Sequence, residues 1–146
     1  MATSHTQSTA GVRDLYGGRR VSAARRTIAD AAALIRGAFT VEQLHDAVQL
    51  SEPGIGIATV YRAVAAMSAT GSVAPVGYRA GSALYALCPG GTHHHHLVCT
   101  GCGSVVGIAC PVDRSLEDAA RKTGYTVTGH EVTLYGLCRS CAGECD

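Results

Sequence analysis

The chain has 146 residues and 15.0 kDa, with 47% apolar and 16% charged residues. That is one ordinary domain or two small ones, and the apolar share excludes a chain disordered throughout. No apolar run approaches the roughly 18–20 residues that cross a bilayer, and the polar opening MATSHTQSTAG has no apolar segment of a secretory signal. A soluble, cytoplasmic protein with no membrane partner is expected. Net charge is only +1, but residues 1–88 carry eight arginines against five acids, and residues 89–146 four basic residues against six acids. A basic front half suits nucleic acid.

Residues 1–18 read as a flexible tail, rich in Ser, Thr and Gly and ending at Gly17-Gly18. Val21, Ala24, Ile28, Ala31, Ala32 and Ile35 then recur at three- and four-residue steps, which predicts a helix with one apolar face, closed by Gly37. Thr40 with Gln43 is a capping box that opens a second helix running to Leu50, and Ser51-Glu52-Pro53-Gly54 is a loop. A third helix is expected over about Ala58–Thr70. Val60, Val64 and Met67 form its buried stripe, which leaves Thr59, Tyr61 and Arg62 near its start facing outward. Val73–Tyr78 and Ala83–Leu87 read as strands joined at Arg79-Ala80-Gly81-Ser82. Three helices and a β-hairpin make a winged helix-turn-helix, whose third helix meets base edges in a major groove. The same pattern also fits a small α+β core that never touches DNA.

Pro89-Gly90-Gly91 marks a boundary. The expected organisation is a tail over 1–18, a winged-helix domain over 19–88, a hinge over 89–92, a second domain over 93–141 and a tail over 142–146. In the second domain, strands at Leu97–Cys99 and Val105–Ile108 precede a helix over about Val112–Thr123 and a long strand from Tyr125 to Leu137. The fold class is therefore α+β. No phosphate loop and no HExxH motif is present, so an enzyme is not expected.

Seven cysteines without an export signal make disulfides a poor default, and the seven histidines beside them point to metal. Cys99-Thr-Gly-Cys102 and Cys138-Arg-Ser-Cys141 are two CxxC knuckles. Each can grip one side of a tetrahedral zinc ion, and four sulfurs leave no open position, so such a site is structural. One CxxC alone would also fit a redox pair. His93-His94-His95-His96 directly precedes the apolar Leu97-Val98. If extended, it sends His93 and His95 to one face and His94 and His96 to the other, offering imidazole pairs to two sites. Cys88 is a partner for the even pair. For the odd pair the candidates are His130 and one of Asp113, Glu117 and Asp118. A cysteine–histidine mixture favours zinc over magnesium or calcium.

The combination Ile57-Ala-Thr-Val-Tyr-Arg62, then HHHHLVCTGC, then His130 and a terminal CxxC resembles the ferric-uptake-regulator superfamily. Cys88 and the four-histidine run look most like its actinobacterial zinc uptake regulators. The resemblance covers about residues 19–141. It implies a homodimeric, metal-dependent transcriptional repressor that binds palindromic double-stranded DNA, with an N-terminal winged-helix domain and a small α/β dimerisation domain. Cys99, Cys102, Cys138 and Cys141 match the structural zinc ligands. Cys88, His94 and His96 match a regulatory site at the hinge. His93, His95 and His130 match a further site whose carboxylate is Asp113 if one residue is deleted here. Tyr61 and Arg62 match the DNA-contacting pair, and Thr59 and Arg25 are further candidates for contact with DNA. The family's zinc sensors place an aspartate fourteen residues before Cys88, where this chain has Ala74. Cys110 and Cys145 match nothing in the family.

On this resemblance, Zn2+ would shift the winged domains towards a geometry that fits successive major grooves. The alternatives are a regulator of the same family responding to peroxide, redox state or another metal, a zinc enzyme, and a zinc-stabilised interaction module.

Overall fold

Local chemistry sets where the first two helices begin. In the computed structural model, which describes residues 15–18, 20–88 and 93–143, Ser22 caps helix α1 (Ala23–Leu34) by accepting a bond from the Arg25 amide. One face of α1 buries Ile28, Ala29 and Ala32, and Gly37 turns the chain out with φ +86°. Helix α2 (Val41–Gln49) starts at a complete capping box: Thr40 Oγ1 accepts from the Gln43 amide, and Gln43 Oε1 accepts from the Thr40 amide. Helix α3 (Ile57–Ala69) buries Val60, Ala63, Val64 and Met67.

Strands β1 (Val73–Arg79) and β2 (Ser82–Leu87) form an antiparallel hairpin. Ala80 and Gly81 both have positive φ, 48° and 84°, the two-residue turn whose twist matches the flanking strands. The register shifts between Pro75 and Gly77, so the proline sits at a bulge and costs no regular ladder bond. Phe39 and Tyr85 exchange two backbone bonds of 2.9 and 2.8 Å and tie the hairpin to the helices. The core of this half joins Ile28, Leu44, Val48, Val60 and Met67, all fully buried.

The chain divides into two compact units, Met1–Gly91 and Thr92–Asp146. In the second, strands β3 (His95–Cys99), β4 (Val105–Ile108) and β5 (Thr133–Gly136) form a sheet of order β4-β3-β5, with β3–β4 antiparallel and β3–β5 parallel. Helix α4 (Arg114–Lys122) lies between β4 and β5 in sequence and buries none of its side chains. The fold is α+β, a winged helix-turn-helix followed by a small α/β unit.

Two expectations change. Leu15 and Tyr16 are not tail: both are buried in the core of the first unit, and Tyr16 Oη donates to the Arg25 carbonyl at 3.0 Å. The long strand from Tyr125 shrinks to Thr133–Gly136. The amide of Val132 donates to Nδ1 of His95 rather than to a backbone carbonyl, and β3 offers no strand partner before His95. The rest of the expected tail (1–14), Arg19, the hinge residues 89–92 and the terminal 144–146, including Cys145, lie outside the described residues.

Candidate metal centres and nucleic-acid surface

The parallel pairing of β5 with β3 sets Cys99 opposite Gly136, so the knuckle leaving β3 and the knuckle following β5 meet. The four sulfurs of Cys99, Cys102, Cys138 and Cys141 all lie within 4.8 Å of one another. Cys102 Sγ and Cys138 Sγ are 3.8 Å apart. A tetrahedral ion with Zn–S bonds of about 2.3 Å separates its sulfurs by about 3.8 Å, so the donor set fits zinc. Gly101 allows the approach: a Cβ there would stand 2.9 Å from both Cβ and Sγ of Cys141.

The electrostatics agree with a cation site. Backbone amides of Cys102 and Cys138 bring the Cys99 thiol down to about 6, while the sulfurs of Cys138, Cys99 and Cys102 push Cys141 up to about 12. Four thiols this close cannot all ionise unless a positive ion compensates them.

The histidine run splits by face. The rings of His93 and His95 are 4.7 Å apart, and those of His94 and His96 are 4.9 Å apart. On the odd face, His93 Nε2 lies 3.0 Å from His130 Nε2, and Cys110 Sγ lies 3.1 Å from His130 Nε2 and 3.3 Å from His95 Nε2. The donor atoms of His93, His95, Cys110 and His130 fall within 4.8 Å of one another. Burial, then the neighbouring His93 and His130, lower the pKa of His95 and favour a neutral, ligand-competent ring.

Asp113 is not part of this group. Its carboxylate caps α4, accepting from the amides of Ser115 and Leu116 and from the Ser115 hydroxyl. Three donors hold it there, and Cys110 stands where a fourth ligand was expected. The hairpin register contained the signal. His95 pairs with Ile108 at the end of the ladder, and the same register continued for two residues beyond it would bring Cys110 opposite His93.

Cys88 follows the last residue of β2 in the first unit. Its amide donates to Ser72 O at 2.8 Å, its Sγ faces Ala86 O at 3.6 Å, and burial raises its pKa against a bond from the Ala74 amide. Ala74, aligned across the hairpin with Ala86, is thus a neighbour of the Cys88 thiol.

The residue model of one family matches residues 17–135: the ferric uptake regulator family. The chain belongs to that family. Its members are metal-responsive transcription regulators, not enzymes. The chain is 30% identical over 109 residues to the ferric uptake regulation protein of Campylobacter jejuni, covering 73% of this chain and 69% of that one. It is 32% identical over 137 residues to the zinc uptake regulation protein of Mycobacterium tuberculosis, covering 92% and 98%. A solved zinc uptake regulator complexed with zinc and DNA superposes with a TM-score of 0.73 at 27% identity, covering 86% of this chain and 85% of that one.

In this family member the start of α3 is available to a ligand. Tyr61 and Arg62 are exposed, and the Arg62 guanidinium donates to Thr59 Oγ1 at 3.1 Å. Tyr61 Oη donates to Glu42 Oε1 at 2.7 Å, a bond that lowers the Glu42 pKa and raises that of Tyr61. The Arg25 guanidinium stacks 5.4 Å above the Tyr16 ring, so it has an intramolecular partner that a phosphate would have to share.

Proposed function

We propose that the chain is a zinc-responsive repressor that binds palindromic operator DNA as a homodimer. Family membership supports metal-responsive regulation. The observation that carries zinc is the four-thiol cluster spaced for a Zn–S tetrahedron. The near full-length likeness to a zinc uptake regulation protein supports the same metal, whereas the ferric relative matches a shorter stretch.

Dimerisation is assigned to the second unit. Leu97, Val106 and Leu134 are cross-strand neighbours on one sheet face, and all three are exposed. That exposed apolar face is a surface that a second copy would cover. Among the described residues no helix is long and apolar enough to cross a membrane, and a repressor acts on DNA, so the cytoplasm is the proposed location.

The regulatory ion is assigned to Cys88, His94 and His96 on sequence and family grounds. Cys88 belongs to the first unit and the two histidines to the second. Arg62 and the front arginines contact phosphates; Tyr61 and Thr59 meet base edges.

The test is an electrophoretic mobility shift on the chain's own upstream DNA, with chelator and then with zinc, iron(II) or manganese(II) restored. Zinc alone should restore the shift at low free concentration. Restoration by iron(II) or manganese(II) at equal or lower concentration would replace zinc as the signal, and metal-independent binding would remove the sensor altogether. Arg62→Ala should flatten the salt dependence of binding by about one unit, as for one lost phosphate contact.

A further inference from the structure

We propose that Cys110 joins His93, His95 and His130 as a sulfur ligand, making a metal site of three imidazoles and one thiolate wholly within the C-terminal unit. The placement follows from the hairpin. Cys110 lies two residues past the end of β4, and its Sγ lies 3.1 Å from His130 Nε2 and 3.3 Å from His95 Nε2, with His93 Nε2 3.0 Å from His130 Nε2. Zinc bonds of about 2.3 Å to sulfur and about 2.0–2.1 Å to nitrogen separate such donors by roughly 3.3–3.6 Å. The cluster therefore needs to open by only a few tenths of an ångström to admit the ion.

Sulfur in place of an oxygen changes what the site selects. A carboxylate would suit manganese(II) or iron(II), whereas a thiolate with three neutral imidazoles suits zinc, cobalt(II) and other borderline ions. Four protein ligands also leave no open coordination position, so the site holds an ion without offering it to a substrate. Recruiting His95 carries a cost: its Nδ1 accepts a 3.0 Å bond from the Val132 amide, and that bond has to yield when Nε2 takes the ion. The affinity should accordingly fall below that of the four-cysteine site.

The test uses the full-length protein under a phosphine reductant. Iodoacetamide labelling is read peptide by peptide by mass spectrometry, without metal and at saturating zinc. Zinc should slow alkylation of Cys110 at least about tenfold, as expected when a metal holds the thiolate. His130→Ala should abolish that protection while Cys99, Cys102, Cys138 and Cys141 stay protected. In a cobalt(II) titration, the equivalent that fills this site should add sulfur-to-metal charge-transfer absorption, and Cys110→Ser should lack it. Cys110→Asp should bind again, with its preference moved from zinc towards manganese(II). Equal alkylation of Cys110 with and without zinc overturns the proposal, as does protection that survives His130→Ala. So does a cobalt spectrum unchanged in Cys110→Ser. The labelling of the unaltered protein keeps the test decisive even if a variant misfolds.

Discussion

The first unit is ordered by apolar packing, the second by sulfur and nitrogen. Ile28, Leu44, Val48, Val60 and Met67 are fully buried in the first, and helices α1 to α3 all contribute. In the second, the buried side chains among the described residues are Val98, Cys99, His95 and His96, while α4 buries nothing and Leu116, Leu134 and Tyr135 are exposed. A unit of that size with so small an apolar core lacks the area to fold on burial alone. A metal ion held by the four cysteines would supply the missing stabilisation, on the order of 10 kcal/mol for a structural zinc site. The N-terminal unit should tolerate a chelator, and the C-terminal unit should not.

Cys99→Ser breaks this contrast most severely. Loss of one thiolate opens a closed site, and the remaining core cannot compensate. The variant should lose the C-terminal unit's protection from proteolysis and its dimerisation even in excess zinc, while most of the helical circular-dichroism signal persists. A stable dimer with normal zinc content would refute the structural role of the cluster. Next in size is Leu44→Ala. Leu44 is wholly buried at the centre of the first core, and truncating such a leucine costs about 2–5 kcal/mol. The loss should be equal with and without chelator in thermal melts, which separates packing from ligation.

Gly101→Ala is a smaller and sharper test of the second unit. The added methyl would meet Cys141 Cβ and Sγ at 2.9 Å, closer than non-bonded atoms tolerate, and Cys141 must shift to make room. All four ligands survive, so zinc should still bind, but with weaker affinity in a competition with a chromophoric chelator. Unchanged affinity would mean that the knuckles have slack the packing does not suggest.

The helices of the first unit were legible because local chemistry and burial point the same way there: the Thr40–Gln43 box and the Val60, Val64 and Met67 stripe appear as the spacing implies. Leu15 and Tyr16 escaped notice because two apolar residues ahead of Gly17-Gly18 form no period; only a tertiary contact reveals them. In the second unit each CxxC spacing is a local signal, and the structure brings the two knuckles together. The Asp113 expectation depends on a presumed deletion in the family's pattern, and the structure sets that carboxylate at the start of α4 instead, whereas the nearness of Cys110 to His95 and His130 is tertiary and carries no motif. The Tyr125–Leu137 strand was overextended because Val127 and its neighbours have strand-like side chains but no partner strand, and pairing rather than propensity decides.

The two units should also fail at opposite ends of the pH scale, the smallest effect expected here. Zinc ligation requires thiolates, so acid would release an ion held by the four cysteines and loosen the C-terminal unit first. In the N-terminal unit, burial pushes Tyr16 up to about 12, a rise that the Arg25 charge above its ring only partly offsets. The unfolded chain gives up that proton near 10, whereas the folded chain keeps it to about 12. Between those values the folded state binds more protons than the unfolded state, so stability is full below about pH 10 and falls as pH rises towards 12. Tyr16→Phe removes the proton and its bond to the Arg25 carbonyl. It should cost about 1 kcal/mol at neutral pH and flatten the alkaline decline. Thermal melts of both proteins from pH 8 to pH 11.5, in chelator so that the metal-dependent unit does not contribute, measure this directly. An equally steep decline in Tyr16→Phe would show that another group sets the alkaline limit of the first unit.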